Sequence, residues 1–253
     1  MTGTSKASTV TVETLDGPMG ALVAIPEGEG PFPALVVAQE AFGVNSHIQD
    51  VCRRFAREGY VAFAPDMYHR TGRMLTYAYD DPKRREAFSA LTNAGIETDL
   101  KAALRHLAQL GEVDKGRIGI VGFCVGGFMA FLAACRTDVA TAVCFYGGGI
   151  VKLREGLKLE PLLSEADSIR VPILCLFGER DTSIPPDEVE AIRKRLAMQP
   201  RKHEVVVYPG AEHGFFCDER GSFKPDAAAQ AWERTVKWLE LRLKGLANFP
   251  TED

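Results

Sequence analysis

The sequence predicts an α/β fold: a mostly parallel, doubly wound sheet with an antiparallel hairpin at its N-terminal edge. Three observations carry this. Residues 9–13 alternate apolar and polar, Asp16-Gly17 is a turn pair, and residues 20–24 return, which together read as a hairpin. Short continuous apolar runs follow at residues 34–38, 61–64, 118–121, 142–146, 171–177 and 203–208, as expected of strands covered on both faces. Helical patterns or long connections separate these runs, and parallel strands need such crossovers.

Taken in order, Pro31 and Pro33 lead into the run at 34–38, which ends in Gln39-Glu40-Ala41-Phe42-Gly43-Val44-Asn45. Polar side chains at the carboxyl end of a buried strand mark where ligand sites form in open α/β sheets. Ser46 can cap a helix with Ile48, Val51, Cys52 and Phe55 on its apolar face, closed by Gly59. After the strand at 61–64, Pro65-Asp66 stops the run, and residues 67–81 show no periodicity. They read as a long loop over the sheet edge, a common seat of function. Pro82 opens a helix to about Leu91, and a second helix places Ile96, Leu100, Ala103, Leu104 and Leu107 on one face. The strand at 118–121 runs through Gly122-Phe123-Cys124-Val125-Gly126-Gly127 into a helix over 128–134. Residues 150–168 carry no clear pattern. Pro185-Pro186 start a helix with Val189, Ile192 and Leu196 inward, and a terminal helix over 225–243 turns Trp232, Val236 and Leu239 inward.

Nothing divides this order, so residues 9–246 are expected to form one domain, with a loose N-terminus at 1–8 and a tail at 247–253. Among 253 residues the formal net charge is −4, and the densest basic spot, Lys83-Arg84-Arg85, is too short to track phosphates, so no nucleic-acid partner is expected. No apolar run is long enough to span a bilayer, and residues 1–9 lack the apolar core of a signal peptide. The expectation is a cytoplasmic protein, monomer or dimer, without a membrane partner. The six cysteines, Cys52, Cys124, Cys135, Cys144, Cys175 and Cys217, form no C-x-x-C pair, so no metal site is expected.

Gly122-Phe123-Cys124-Val125-Gly126-Gly127 has the pattern of a nucleophile elbow with cysteine in place of serine. So sharp a strand-to-helix turn strains the nucleophile's backbone and requires neighbours without side chains. The helix N-terminus favours a thiolate there. Asp181 and His213 also follow predicted strands, giving the order nucleophile, acid, histidine of the α/β-hydrolase fold. In that arrangement His213 takes the thiol proton, and Asp181 fixes the imidazole tautomer. The N–H groups of Val125 and Ala41 are the candidate oxyanion donors. Glu40 stands beside that loop. Asp181 could instead simply cap the turn before Pro185, with Asp187 as a competing acid inside the helix start. His47, His69, His106 and His203 lack partner patterns and read as structural.

The chain resembles the dienelactone hydrolase (carboxymethylenebutenolidase) family of α/β hydrolases. The matching pieces are Gln39-Glu40-Ala41-Phe42-Gly43-Val44-Asn45, Gly122-Phe123-Cys124-Val125-Gly126-Gly127, Gly178-Glu179-Arg180-Asp181 and Glu212-His213-Gly214-Phe215. The resemblance implies a Cys124–His213–Asp181 triad, and a Glu40 that contacts the thiol and helps to deprotonate it once substrate is bound. It implies a lactone or activated-ester substrate, an acyl-enzyme and, for dienelactone, release of 4-oxo-2-alkenedioate, with no cofactor. Family members that cleave dienelactone hold its carboxylate with two arginines. Arg84, with Arg85 as its rival, corresponds to one. The position of the second, four residues after His213, holds Cys217, and Arg220 is the nearby substitute. Phe88, where an aromatic partner is expected, has no hydroxyl, and Phe42 joins it as a candidate substrate contact. Loss of one carboxylate clamp would weaken binding by about 1.5–3 kcal/mol. Two alternatives stay open: a broader carboxylesterase or thioesterase acting on substrates without a carboxylate, and a non-catalytic ligand-binding scaffold.

Overall fold

The computed structural model describes residues 6–245. Eight strands form one sheet in the order β1-β2-β4-β3-β5-β6-β7-β8. They span β1 Lys6–Thr14, β2 Gly17–Ile25, β3 Phe32–Ala38, β4 Val61–Pro65, β5 Val113–Phe123, β6 Ala142–Phe145, β7 Ile173–Gly178 and β8 Glu204–Tyr208. β1 and β2 are antiparallel, β2 joins β4 antiparallel, and β4-β3-β5-β6-β7-β8 are parallel. The predicted sheet is therefore the observed one. The loose N-terminus needs correction, because residues 6–8 pair with 23–25 in β1. Residues 1–5 and the tail at 247–253 lie outside the described residues.

Among the described residues five α-helices lie between strands, α1 Ser46–Arg57, α2 Arg84–Ala90, α3 Asn93–Leu107, α4 Val125–Arg136 and α5 Pro186–Ala197, and a sixth, α6 Pro225–Leu239, follows β8. On one face α1 and α6 meet where the Phe55 and Trp232 rings pack tilted, centroids 4.7 Å apart. On the other, α3 packs on α4, while α4 and α5 both pack on a 3-10 turn at Leu163–Ser168. That turn is the only helical structure in the segment 150–168. The central strands β3, β6 and β7 and the second half of β5 are buried almost throughout, as continuous apolar runs require. Among the described residues no helix is long and apolar enough to cross a membrane.

Several boundaries differ from the sequence reading for local reasons. Asn45, not Ser46, caps α1, its side chain accepting from the Ile48 N–H at 3.2 Å. The Ser46 hydroxyl instead donates to Glu219 at 2.8 Å. Gly59 closes α1 with φ of 81°. β5 begins at Val113 because a polar, half-exposed stretch precedes its buried run and pairs with β3 only through a register shift. In α6 the buried indole is Trp238, whose Nε1 donates to Thr141 Oγ1 at 2.9 Å. Trp232 is half-buried, with the Arg54 guanidinium 4.0 Å from its ring centroid.

The long loop at 67–81 is tied down at both ends. The Asp66 carboxylate accepts from the N–H groups of Tyr68 and Met74. Farther on, Tyr77 N–H donates to Phe42 O at 3.1 Å and Thr76 forms a bridge with Gly43. Gly43 has φ of 79°, and a Cβ there would collide with the Leu75 carbonyl. The loop thus lies backbone-to-backbone on the turn that follows β3.

Candidate active site

The site assembles where β3, β5, β6, β7 and β8 end. β5 hands over to α4 at Cys124, which holds φ of 56° and ψ of −117°. A non-glycine residue pays about 1–3 kcal/mol for such a conformation and keeps it only when its surroundings enforce it. Here three glycines enforce it. A Cβ on Gly122 would strike the Gly126 carbonyl, and one on Gly126 would strike Ala38 O at the end of β3. One on Gly127 would lie 2.5 Å from Phe145 O in β6. The turn is thereby wedged between both neighbouring strands, and the thiol is left half-exposed above them.

His213 and Asp181 arrive from the next two connections. Gly178, the last residue of β7, touches the backbone of Ala211 so closely that no Cβ fits between them. This packs the Asp181 loop onto the His213 loop. His213 Nδ1 donates to Asp181 Oδ2 at 2.7 Å, and Nε2 faces Cys124 Sγ at 3.2 Å. A carboxylate only accepts, so Nδ1 carries the proton and Nε2 is the nitrogen presented to sulfur. Asp181 also caps the turn, as its alternative reading anticipated: Oδ1 accepts from Ser183 N–H at 2.8 Å and Ile184 N–H at 3.2 Å. One carboxylate serves both purposes. Burial disfavours the imidazolium, but the Cys124 sulfur and the Asp181 carboxylate outweigh it and push His213 up to about 10. Cys124→Ala removes the leading upward cause. In an imidazole NMR titration the variant should therefore release the His213 proton at lower pH than wild type, and an unmoved midpoint would refute the coupling.

Val125 is the first residue of α4, so its N–H has no intrahelical acceptor. Ala41 lies in the turn closed by Gly43 N–H on Glu40 O at 3.3 Å, just beyond the β3 end against which Gly126 packs.

Glu40 is fully buried. Its expected contact with the thiol is not the one present: Oε1 accepts from Arg220 Nη1 at 3.2 Å, while Oε2 has no partner. The guanidinium reaches Glu40 by crossing Gly214, where φ is 77° and a Cβ would collide with Arg220. Arg220 therefore occupies the site even though it stands three residues beyond the expected position. Burial of its guanidinium is offset chiefly by the Glu40 charge. Cys217, at the expected position, is buried, and its Sγ lies 3.3 Å from the Tyr79 hydroxyl. Burial first, and then the Glu40 charge, push the Cys217 thiol up to about 11.

Phe42 gathers the cations. The Arg84 and Arg220 guanidiniums lie 5.4 Å and 5.5 Å from its ring centroid. Arg85 is exposed, since neighbours on a helix point about 100° apart and Arg84 is the one turned to Phe42. Phe88 packs half-buried against the core. A cleft of about 590 Å³, lined by Asn45, Gln49, Tyr77, Tyr79 and Glu219 among others, opens beyond Tyr79 and includes none of Cys124, His213 or Asp181.

The sequence reading missed Tyr146, which took its place there as one more core residue of a strand. It directly follows β6, and its ring stands edge-on to His213 at 5.2 Å. A polar group at the carboxyl end of a strand was the available signal. Of the remaining histidines, His69 Nε2 lies 3.1 Å from Asp99 and His203 Nδ1 accepts from Ile173 N–H at 3.3 Å, while His47 and His106 pack against the rings of Phe123 and Phe63. Among the described residues no group of three or more His, Cys, Asp or Glu side chains could hold a metal ion.

The profile of the dienelactone hydrolase family matches residues 19–243. A Synechocystis protein provisionally named a carboxymethylenebutenolidase is 38% identical over 248 residues, 96% of this chain and 100% of its own length. A Bradyrhizobium protein provisionally named a 2-oxo-3-(5-oxofuran-2-ylidene)propanoate lactonase is 32% identical over 225 residues, 89% of this chain and 90% of its own. Among solved structures, one from Klebsiella pneumoniae, provisionally described as a dienelactone hydrolase, superposes with a TM-score of 0.86 at 34% identity, covering 94% of this chain and 99% of that one.

Proposed function

Because this chain belongs to the dienelactone hydrolase family, we infer that it is a cysteine-dependent hydrolase that opens lactones or cleaves activated carboxylic esters. The observation that carries this reading is the line from Asp181 through His213 to sulfur, 2.7 Å and then 3.2 Å. The described residues, 6–245, serve as one catalytic domain.

In the first half-reaction His213 Nε2 accepts the thiol proton and Cys124 Sγ attacks the carbonyl carbon. A C–S bond forms, and the carbonyl oxygen takes up the negative charge, which the N–H groups of Val125 and Ala41 receive. Collapse breaks the acyl C–O bond, the leaving oxygen takes the proton from His213, and a thioester remains. Acylation discharges the sulfur, the leading cause that holds the imidazole protonated. The His213 pKa falls at the stage where a base is needed. The imidazole then takes a proton from water as the water oxygen attacks the thioester carbon; the C–S bond breaks, the acid departs, and the proton on His213 Nε2 returns to the sulfur.

Glu40 and Arg220 supply substrate dependence. At rest each neutralises the other inside the site. A substrate carboxylate that pairs with Arg220 and Arg84 draws the guanidinium away, and a buried carboxylate is left beside the reacting group as a second base. The test compares dienelactone with a neutral aryl ester. Arg84→Ala is expected to lower the ratio of their kcat/KM values by roughly 10- to 100-fold, the worth of one hydrogen bond to a charged group. An unchanged ratio would remove Arg84 from substrate recognition. A second reading, an esterase or thioesterase for uncharged acyl groups, is favoured by Cys217 at the expected arginine position. A wild-type kcat/KM greater for the neutral ester than for dienelactone would select it.

A further inference from the structure

Tyr146 is fully buried and holds φ of 36°, a left-handed conformation that a bulky aromatic residue seldom adopts. Its position is nevertheless fixed, by its N–H on Leu176 O at 2.7 Å and by ring contacts with His213 and Phe215. The phenol hydroxyl has no hydrogen-bond partner. Of the titratable groups acting on it, Glu40 is foremost, followed by Cys217, Arg220 and Cys124. Glu40 Oε2 is likewise buried and without a donor. One desolvated site thus holds a donor lacking an acceptor and an acceptor lacking a donor, and buried polar groups left in that state call for an explanation. Tyr60, Tyr68 and Tyr208 also carry unpartnered buried hydroxyls, but Tyr60 precedes β4 at the opposite end of the sheet, Tyr208 is the last residue of the outer strand β8, and on Tyr68, in the loop after β4, Cys124 and Tyr77 act ahead of any carboxylate.

We propose that Tyr146 is a positioning residue for Glu40: when a substrate anion draws Arg220 away, the phenol O–H donates to Glu40 Oε2 and holds the carboxylate aimed at the reacting centre. This rests on the reading of Glu40 as a base released by substrate. At rest the guanidinium neutralises the carboxylate. After release Oε1 has lost its donor as well, and a buried carboxylate with no donor on either oxygen is left unsatisfied. The phenol keeps its own proton throughout and serves only as a hydrogen-bond donor.

The test uses Tyr146→Phe, Glu40→Gln and their double variant, with dienelactone and p-nitrophenyl acetate as substrates and Tyr60→Phe as a control for loss of a buried hydroxyl. Removing a hydroxyl that has no partner at rest should leave the melting temperature of Tyr146→Phe unchanged or higher. Its kcat for dienelactone should fall by roughly tenfold more than its kcat for p-nitrophenyl acetate, with KM little changed. In the Glu40→Gln background the further loss should vanish, because the group to be positioned is gone. Tyr60→Phe should match wild type on both substrates. An impaired Glu40→Gln beside a Tyr146→Phe that matches wild type would overturn the role of Tyr146 alone. A fully active Glu40→Gln would overturn the reading of Glu40, and the proposal with it. Equal losses on both substrates, or the same loss in the Glu40→Gln background, would assign Tyr146 to packing.

Discussion

Cys124→Ala is expected to abolish turnover, with a loss of at least about four orders of magnitude in kcat, as for nucleophile removal in other triad enzymes. The remaining parts cannot substitute. His213 would face a methyl group, and no other cysteine is available to attack. Cys52, Cys144, Cys175 and Cys217 are buried, and burial pushes the Cys135 thiol up to about 12. The fold should be unaffected, since alanine is smaller and the backbone is held by the flanking glycines. The acyl-enzyme provides a check independent of rate. Wild type mixed with substrate and quenched within a turnover should carry the acyl mass on the peptide containing Cys124, and the variant should carry none. Turnover by the variant within tenfold of wild type would refute the thiol as nucleophile.

Gly122→Ala should have the largest effect on stability. Its new methyl group would meet the Gly126 carbonyl, which belongs to the helix that Cys124 caps, so relief requires moving α4 off β5. α4 is almost entirely buried, and it packs against β3, β5 and β6. Displacing it would open the centre of the core, and a destabilisation of about 3–5 kcal/mol or more is expected. For a chain of this length that corresponds to a fall in melting temperature of roughly 6–20 °C, or to failure to accumulate folded protein. Gly111→Ala is the matched control: a Cβ there meets nothing within 4 Å. A Gly122→Ala protein that melts with wild type would show that the elbow can relax by another route.

The sheet and the Cys124–His213–Asp181 line were legible because each leaves a local mark: buried apolar runs, paired glycines, and polar residues just after strands. What escaped depends on contacts between distant segments. Arg220 reaches Glu40 only because Gly214 lets it cross, and no spacing rule contains that path. Arg84 and Arg85 are adjacent in sequence, and only the packing of α2 separates the one beside Phe42 from the one in solvent. Tyr146 looked like core because its ring is core, and its unpartnered hydroxyl emerges only when neighbours are known. Asn45 displaced Ser46 as the cap once Glu219, far along the chain, engaged the serine.

The junction between Gly43 and Leu75 joins main chain to main chain. That contact holds the rim whichever side chains stand there, and Arg70, bound to Asp16 and Asp99, and Tyr79, bonded to Asn45 and Glu219, add side-chain ties of their own. Exchanges at positions without such ties can reshape the mouth of the site while the reactive groups stay where they are. Gly43 itself has no such latitude. The protein thus separates an editable border from an invariant anchor, and altered substrate choice should be sought at Tyr77 well before it is sought in the sheet.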